Sequence, residues 1–305
     1  MRLSNYVGNT PLIPISMGGY TVWGKCEFMN PGGSVKDRMA TYILDNAEDR
    51  KLIKQGDTLI EATSGNTGIA FSMLAAQRGY KMKIVMPSNM SEERKQMLKF
   101  YGAHLIEVDE GDFDEAIAVR DELADTEGYF NCNQFHNPLN IEGHYKNTGP
   151  EIVRQIREQL EHYDRSGHYD YNGWPQAFVA GTGTGGTIMG AGKYLQEHYP
   201  GISLVAVEPE ESAVMSGFEP GLHGIQGIGD GSKFLVDMKK INDVITVHTE
   251  CAKKVARYLA LRYGLFVGIS AGANVKAAFQ YLRDNDKKNA ITILCDRGER
   301  YLSCL

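Results

Sequence analysis

Short apolar runs alternate with longer amphipathic segments along most of this chain of 305 residues. The short runs are bounded by turn-forming residues and are predicted as strands. In the longer segments apolar side chains recur three or four positions apart, which predicts helices. The predicted strands are 57–62, 83–86, 104–108, 177–181, 203–209, 243–247 and 290–296, and the predicted helices are 67–79, 91–103, 112–125, 148–163, 185–198, 249–264 and 271–284.

One of these helices carries its own start signal. Thr148 and Glu151 form the pattern of a capping box, and Pro150 stands in the first turn, so the helix 148–163 is predicted to begin there. The segment that follows, 164–176, is polar, rich in tyrosine and turn-prone, and is therefore predicted as a surface loop.

The repeated strand–helix–strand order predicts the fold class. Right-handed crossovers of this kind build parallel sheets that carry helices on both faces. A chain of this length corresponds to about two domains, and the pattern restarts near residue 146. We therefore expect an α/β protein with two open, mostly parallel, twisted sheets.

Composition and charge narrow the possible functions. The chain is 42% hydrophobic and 23% charged, with a net charge of −6 and no long basic run, so nucleic acid is not an expected partner. The N-terminal residues have no signal-peptide pattern and no apolar run is long enough to span a membrane, which predicts a cytoplasmic protein. The five cysteines and eight histidines are scattered without ligand spacing, so neither a disulfide framework nor a metal site is expected.

The stretch NPGGSVKDRMATYIL, residues 30–44, places a lysine where a helix does not favour one. Two glycines and Ser34 predict a loop that ends in an N-cap, after which Val35, Met39 and Ile43 recur at helical spacing. Lys36 then lies in the first turn, at the positive end of the helix dipole, where a cation is unfavourable by about 0.3–1 kcal/mol. By position alone, a solvated surface lysine is the simpler interpretation.

Three strand-to-helix turns are rich in glycine and hydroxyl residues. They are EATSGNTG (61–68), AGTGTGGT (180–187) and VGISAGA (267–273). Ligands of open parallel sheets bind at the carboxyl ends of strands, where such turns lie, and a helix N-terminus offers N–H groups to an anion. The second turn is suited to a phosphate and the first to a carboxylate.

Each turn can also be explained as a tight strand-to-helix connection with a capped helix. For GTGTGGT this structural interpretation and phosphate binding are equally favoured. A dinucleotide fingerprint starting at Gly181 lacks an acidic ribose partner about 20 residues further on. A Walker phosphate loop is excluded because Thr187 stands where glycine is required and Tyr194 where serine or threonine is required.

The order of these motifs resembles that of a known enzyme family. The motifs are VGNTPLI, PGGSVKDR, SGNTG, MPSNMSEERKQMLKFYGA, NQFHNPLNIEGHYKNTGPEI, GTGTGGT, GISAGA and CDRGERYLS. Together they resemble the fold-type II pyridoxal phosphate enzymes, which share the fold of the tryptophan synthase β-subunit. Within that group they are similar to the cysteine synthases (O-acetylserine sulfhydrylases), nearest to the cysteine synthase B branch.

The resemblance implies a role for each candidate site residue. Lys36 would form the Schiff base with pyridoxal 5′-phosphate and serve as the catalytic base. The residues implied in cofactor binding are Lys36, Asn66, Gly183, Thr184, Gly185, Gly186, Thr187 and Ser270, and those implied in binding the substrate α-carboxylate are Thr63, Ser64, Gly65, Thr67 and Gln134. In this family Asn66 would contact the ring hydroxyl and Ser270 the pyridine nitrogen.

The resemblance also implies a reaction and an organisation. O-acetyl-L-serine would lose acetate to leave an aminoacrylate, and sulfide would add to give L-cysteine. A larger domain, 1–34 and 146–305, would hold the cofactor phosphate, and a smaller mobile domain, 35–145, would bind the substrate carboxylate. The family further implies a homodimer and a possible contact with serine acetyltransferase.

Some features depart from the branch and leave alternatives open. The loop 216–234 contains no arginine, which favours O-acetylserine and sulfide over O-phosphoserine or thiosulfate. The sequence GIQGIG in this loop is nearer to the cysteine synthase A branch. The stretch 153–176 is longer than the family pattern. A cystathionine β-synthase that condenses homocysteine and a catalytically idle, partner-binding homologue are the remaining hypotheses.

Overall fold

The computed structural model describes residues 2–63, 65–90, 92–110, 113–166 and 174–304, without the side chains of 162–166. The chain divides into two compact units, the first comprising Met1–Val7 and Asn30–Asn140 and the second Gly8–Met29 and Ile141–Leu305. Within the described residues, no helix is both long enough and apolar enough to cross a membrane.

The strands are β1 (Leu12–Met17), β2 (Tyr20–Cys26), β3 (Thr58–Ala62), β4 (Lys81–Pro87), β5 (His104–Val108), β6 (Tyr129–Asn131), β7 (Ala177–Gly181), β8 (Ser203–Pro209), β9 (Asp243–Val247) and β10 (Asn289–Leu294). The α-helices are α1 (Lys36–Asp49), α2 (Asn66–Arg78), α3 (Glu92–Phe100), α4 (Phe113–Ala124), α5 (Leu139–Gly143), α6 (Gly149–Ser166), α7 (Gly186–His198), α8 (Thr249–Tyr263) and α9 (Ile269–Asp284), and a π-helix spans His144–Thr148.

The first unit contains a four-stranded parallel sheet in the order β5-β4-β3-β6. Alternate side chains of β3 belong to different cores, because Leu59 packs with α1 and α2 while Ile60 packs with α4. All five residues of β3 are buried. Helices therefore cover both faces of this sheet, as expected for a central parallel strand.

The second unit contains a six-stranded sheet in the order β1-β2-β10-β7-β8-β9, in which β1 and β2 are antiparallel and the other pairs are parallel. Helix α9 contacts β2, β7, β8, β9 and β10, and α7 contacts β7 and β8. At the crossing of α8 and α9 a Cβ on Gly272 would lie 2.2 Å from the Ala252 carbonyl oxygen, so this approach requires glycine. The predicted fold class, two mostly parallel α/β sheets, is confirmed.

The capping box predicted at the start of helix 148–163 was wrong. The π-helix His144–Thr148 leads directly into α6, so no free helix end exists for Thr148 to cap. Thr148 Oγ1 instead hydrogen-bonds His144 Nδ1 at 2.9 Å, and Glu151 pairs with the fully buried ammonium of Lys25 on β2. The predicted loop 164–176 begins as the end of α6, and 167–173 lie outside the described residues.

Candidate functional site

The loop before α1 presents Lys36 at a helix start that neighbouring side chains stabilise. Val35 already has helical torsion angles, φ −59° and ψ −22°, and Ser34 Oγ accepts the backbone N–H of Lys36 at 3.3 Å, which is the geometry of an N-cap. Asp37 accepts the N–H of Gly32 at 2.5 Å, and a Cβ on Gly32 would lie 2.5 Å from the other carboxylate oxygen. The carboxylate of Asp37 also offsets the helix dipole beside the half-buried Lys36.

The turn after β3 places hydrogen-bonding groups at the start of α2, which begins at Asn66. The N–H of Gly65 donates to Thr63 Oγ1 at 3.3 Å, and the hydroxyl of Thr67 donates to Gln134 Oε1 at 2.6 Å. The structure therefore brings Thr67 and Gln134, which are 67 residues apart, into direct contact. Ser64 lies outside the described residues.

A buried ion pair, which the sequence pattern does not reveal, lies directly beneath this turn. Glu61 and Arg120 have 0% and 1% exposed surface, and Glu61 Oε1 is 3.2 Å from Arg120 Nη1. Burial raises the pKa of the Glu61 carboxyl, and the Arg120 guanidinium opposes that rise. The available signal was Glu61, an acidic residue directly after the apolar pair Leu59 and Ile60, although its partner could not be read from the sequence.

The turn between β7 and α7, residues 183–187, has the geometry of an anion-binding turn, and we call it the anion cradle. A Cβ on Gly183 would lie 2.7 Å from the Gly227 carbonyl oxygen, and Gly185 has φ +87° with Val236 Cγ2 2.5 Å from its Cβ position. Both positions are buried, and among the described residues neither backbone N–H has an acceptor. Buried N–H groups without an acceptor at a helix N-terminus fit a bound phosphate.

A buried histidine supports this turn from the π-helix. His144 Nε2 lies 3.2 Å from Thr187 Oγ1, and its Nδ1 lies 2.9 Å from Thr148 Oγ1. A Cβ on Gly190 would lie 2.2 Å from the Ile141 carbonyl oxygen, so this glycine lets α7 approach the segment that carries His144. His144 could not be found from the sequence because a lone histidine has no spacing signal, although a π-helix often marks a functional site.

Ser270 lies in the first turn of α9 with 4% exposed surface, and its hydroxyl has no hydrogen-bond partner among the described residues. Asn274, one turn further on, accepts the N–H of Gly181 at 2.8 Å and donates to the Ile293 carbonyl oxygen at 2.8 Å. Asn274 therefore connects the helix of Ser270 to the strand that ends at the anion cradle. A buried hydroxyl of this kind fits a polar ligand atom.

The predicted residues form two sets, one in each unit. Lys36, Thr63, Gly65, Asn66, Thr67 and Gln134 belong to the first unit, and Gly183, Thr184, Gly185, Gly186, Thr187 and Ser270 belong to the second.

Comparisons with known proteins cover nearly the whole chain. Residues 3–296 match the family described as "Pyridoxal-phosphate dependent enzyme". A cysteine synthase B of Campylobacter jejuni is 41% identical over 99% of this chain and 97% of its own, and a cysteine synthase of Staphylococcus aureus is 40% identical over 99% and 95%. The crystal structure of a hydrogen sulfide-producing enzyme from Fusobacterium nucleatum has a TM-score of 0.88 and 35% identity, over 98% of this chain and 99% of that one. This chain belongs to the family of pyridoxal-phosphate dependent enzymes.

Proposed function

We propose that this protein is a cysteine synthase that makes L-cysteine from O-acetyl-L-serine and sulfide with pyridoxal 5′-phosphate as cofactor. The observation that carries the proposal is 40–41% identity, over 99% of the chain, to proteins named cysteine synthase. The anion cradle and the polar turn after β3 supply the phosphate and carboxylate contacts that such a reaction requires.

The residues present fit the cofactor. Gly183, Thr184, Gly185, Gly186 and Thr187 would hold its phosphate through backbone N–H groups and hydroxyls, with the dipole of α7 favouring the anion. Asn66 would contact the ring hydroxyl, and the buried hydroxyl of Ser270 would meet the pyridine nitrogen. When bound, the cofactor supplies an electron sink for the bond-breaking at the substrate's α-carbon.

Lys36 would perform the proton transfers. Its Nζ would accept the α-proton as acetate leaves and return a proton after sulfide has added. Thr63, Ser64, Gly65, Thr67 and Gln134 would bind the α-carboxylate and so orient the α-carbon toward that amine. A neutral hydroxyl at Ser270, rather than a carboxylate, suits a reaction that needs only brief carbanion character at the α-carbon.

The charges of the loop 216–234 support a substrate whose acetyl ester is uncharged before it leaves as acetate. A Cβ on Gly183 would lie 3.1 Å from Asp230 Oδ2, so a carboxylate lies beside the anion cradle. No arginine occurs in 216–234. O-phosphoserine carries a second anionic group and thiosulfate is itself an anion, and this loop contains no guanidinium to bind either of them.

The decisive test is covalent trapping at Lys36. Borohydride reduction of the loaded protein followed by digestion should place the cofactor label on Lys36, and Lys36→Ala should lose cysteine formation while remaining folded. Lys54→Ala, which changes an exposed lysine of the same unit, is the matched control and should retain activity. Label on another lysine, or substantial cysteine formation by Lys36→Ala, would refute the assignment.

Activity assays with different substrates distinguish cysteine synthesis from the related reactions of the same chemistry. Sulfide should be used with O-acetylserine. Homocysteine and thiosulfate should be poor substitutes for sulfide, and O-phosphoserine should be a poor substitute for O-acetylserine. Efficient condensation with homocysteine would instead make the protein a cystathionine β-synthase. If the reduced cofactor is found on Lys36 but no pair of substrates gives turnover, the hypothesis of a catalytically idle, partner-binding homologue is favoured.

We further propose a cytoplasmic homodimer, with 35–145 as the smaller mobile domain and 1–34 together with 146–305 as the larger one. An apolar groove of about 460 Å³ on the second unit supports the dimer, since Ile15, Tyr258 and Phe279 line it and Tyr258 is 41% exposed. Light scattering should give twice the chain mass.

A contact with serine acetyltransferase remains a proposal from the resemblance, and co-purification of the two proteins tests it.

Release of hydrogen sulfide from L-cysteine is a second candidate activity. The Fusobacterium nucleatum structure is of an enzyme named for that product. Loss of sulfide from cysteine and addition of water at the β-carbon would convert cysteine and water into serine and hydrogen sulfide. No sulfide release by the unsubstituted protein would dismiss this activity.

A further inference from the structure

The Glu61–Arg120 pair is bonded to the backbone of a residue of the proposed site. Glu61 Oε2 accepts the N–H of Gln134 at 2.9 Å, and Oε1 accepts the N–H of Ala62 at 2.9 Å and pairs with Arg120 at 3.2 Å. One carboxylate therefore joins β3, α4 and the loop after β6. A surface ion pair would contribute little, but this one has less than 2% exposure on both sides.

The hydrogen bonds of Gln134 leave one donor for a ligand. Its Oε1 accepts the hydroxyl of Thr67 at 2.6 Å, which identifies the other end of the carboxamide as the amino group. That group has two N–H bonds, and among the described residues its one acceptor is the Ala62 carbonyl oxygen at a long 3.4 Å. Gln134 is 4% exposed, so a buried amide N–H is available to a carboxylate.

The same contacts assign a different role to Thr67. A hydroxyl has one proton, and in this structure the proton of Thr67 goes to Gln134. The hydroxyl of Thr67 therefore orients the carboxamide, and the contact of Thr67 with the carboxylate would come from its backbone N–H in the first turn of α2. The donors that remain for the carboxylate are the Gln134 amide and the N–H groups at the start of α2.

We propose that Glu61 and Arg120 are positioning residues for binding of the substrate α-carboxylate. Glu61 holds the backbone of Gln134 so that its carboxamide, oriented by Thr67, donates to the carboxylate. Arg120 balances the charge of Glu61, which would otherwise repel the incoming anion through a low-dielectric interior. The inference rests on the proposed function, because that function places an α-carboxylate at this turn.

The experiment measures amino-acid binding and turnover separately. Titration of L-serine into the loaded protein, followed by the visible absorption of the cofactor, gives a Kd without requiring sulfide chemistry. In Glu61→Gln this Kd and the KM for O-acetylserine should rise about tenfold, the effect of losing one oriented hydrogen bond to a charged group, while kcat changes about twofold or less. The KM for sulfide should not change.

Two further variants keep the result interpretable. Glu61→Asp retains the charge but withdraws the carboxylate from the Gln134 N–H, so it should show the same rise in Kd even if Glu61→Gln does not fold. Glu151→Gln breaks another pair with a buried cation, Lys25, in the second unit, and should lower the melting temperature with unchanged Kd.

The possible outcomes distinguish failure of the positioning role from failure of the proposed cysteine synthesis. Unchanged Kd for L-serine in a folded Glu61→Asp, or an equal rise in Glu151→Gln, would overturn the positioning role. A protein that makes no cysteine yet shows the tenfold rise in Kd would refute the proposed synthesis while supporting the carboxylate turn.

Discussion

Gly183→Ala is expected to damage cofactor binding more than it damages folding. The new Cβ would lie 2.7 Å from the Gly227 carbonyl oxygen and 3.1 Å from Asp230 Oδ2. The first contact is with backbone, which cannot rotate away, so the turn itself must shift. Gly183 is not among the glycines with positive φ, and the alanine backbone is therefore not strained.

The magnitude has two parts. Overpacking of this kind costs about 1–3 kcal/mol of folding free energy, which corresponds to a few degrees in the melting temperature of the cofactor-free protein. Displacement of the turn weakens one or two N–H bonds to the phosphate, and a hydrogen bond to a charged group contributes about 1.5–3 kcal/mol. The Kd for pyridoxal phosphate should therefore rise about 10- to 100-fold.

The matched control is Gly24→Ala on β2 of the same unit. Its Cβ would meet Leu294 Cδ1 at 3.0 Å, a flexible side chain that can adjust. Fluorescence titration of the cofactor-free variants with pyridoxal phosphate, together with their melting temperatures, separates the two effects. A Gly183→Ala protein that binds the cofactor with unchanged Kd would show that this turn is not the phosphate site.

Three other perturbations have specific expected outcomes. Ser270→Ala removes a neutral hydrogen bond worth about 0.5–1.5 kcal/mol, so the cofactor Kd should rise between about twofold and tenfold; a larger loss of folding stability than of affinity would contradict this role. Thr187→Val should raise the same Kd by at least as much, because it removes a phosphate donor and the His144 contact; unchanged affinity would exclude Thr187 from the cradle. Burial raises the pKa of the Cys26 thiol to about 12. At pH 8 iodoacetamide should therefore label the exposed Cys251 and spare Cys26, whose labelling should increase only as the pH approaches 12. Equal labelling rates of the two cysteines at pH 8, measured by mass spectrometry, would contradict the buried placement of Cys26.

The sequence predicted seven of the strands and most of the helices closely, but it missed the parallel strand β6 and the N-terminal hairpin of β1 and β2. Strand β1 contains Pro14 and lies at the sheet edge, which is where a strand tolerates proline. Strand β2 contains Lys25, which local pattern reading counts as polar. Its burial depends on Glu151, 126 residues away, so no window of sequence could show it.

The candidate site was predicted from residue types and motif order rather than from contacts. Lys36, the glycine turns and Ser270 have local signals, because a glycine-rich connection before a helix is visible in the sequence. Glu61, Arg120 and His144 have no such signal. Their significance comes from the atoms that they contact, and three of these contacts, Glu61–Arg120, Glu61–Gln134 and His144–Thr187, join residues 43 to 73 positions apart.

The sequence by itself determined the α/β class, the order of most of the elements, the resemblance to pyridoxal phosphate enzymes and the helix starts that contain the candidate site residues. Periodicity, caps and glycine turns are local properties, and each depends on a few neighbouring residues. Only the tertiary structure decided that Thr67 donates its proton to Gln134 and that Glu61 is balanced by Arg120. Burial and hydrogen-bond geometry are properties of chain segments brought together, so they exist only in the fold.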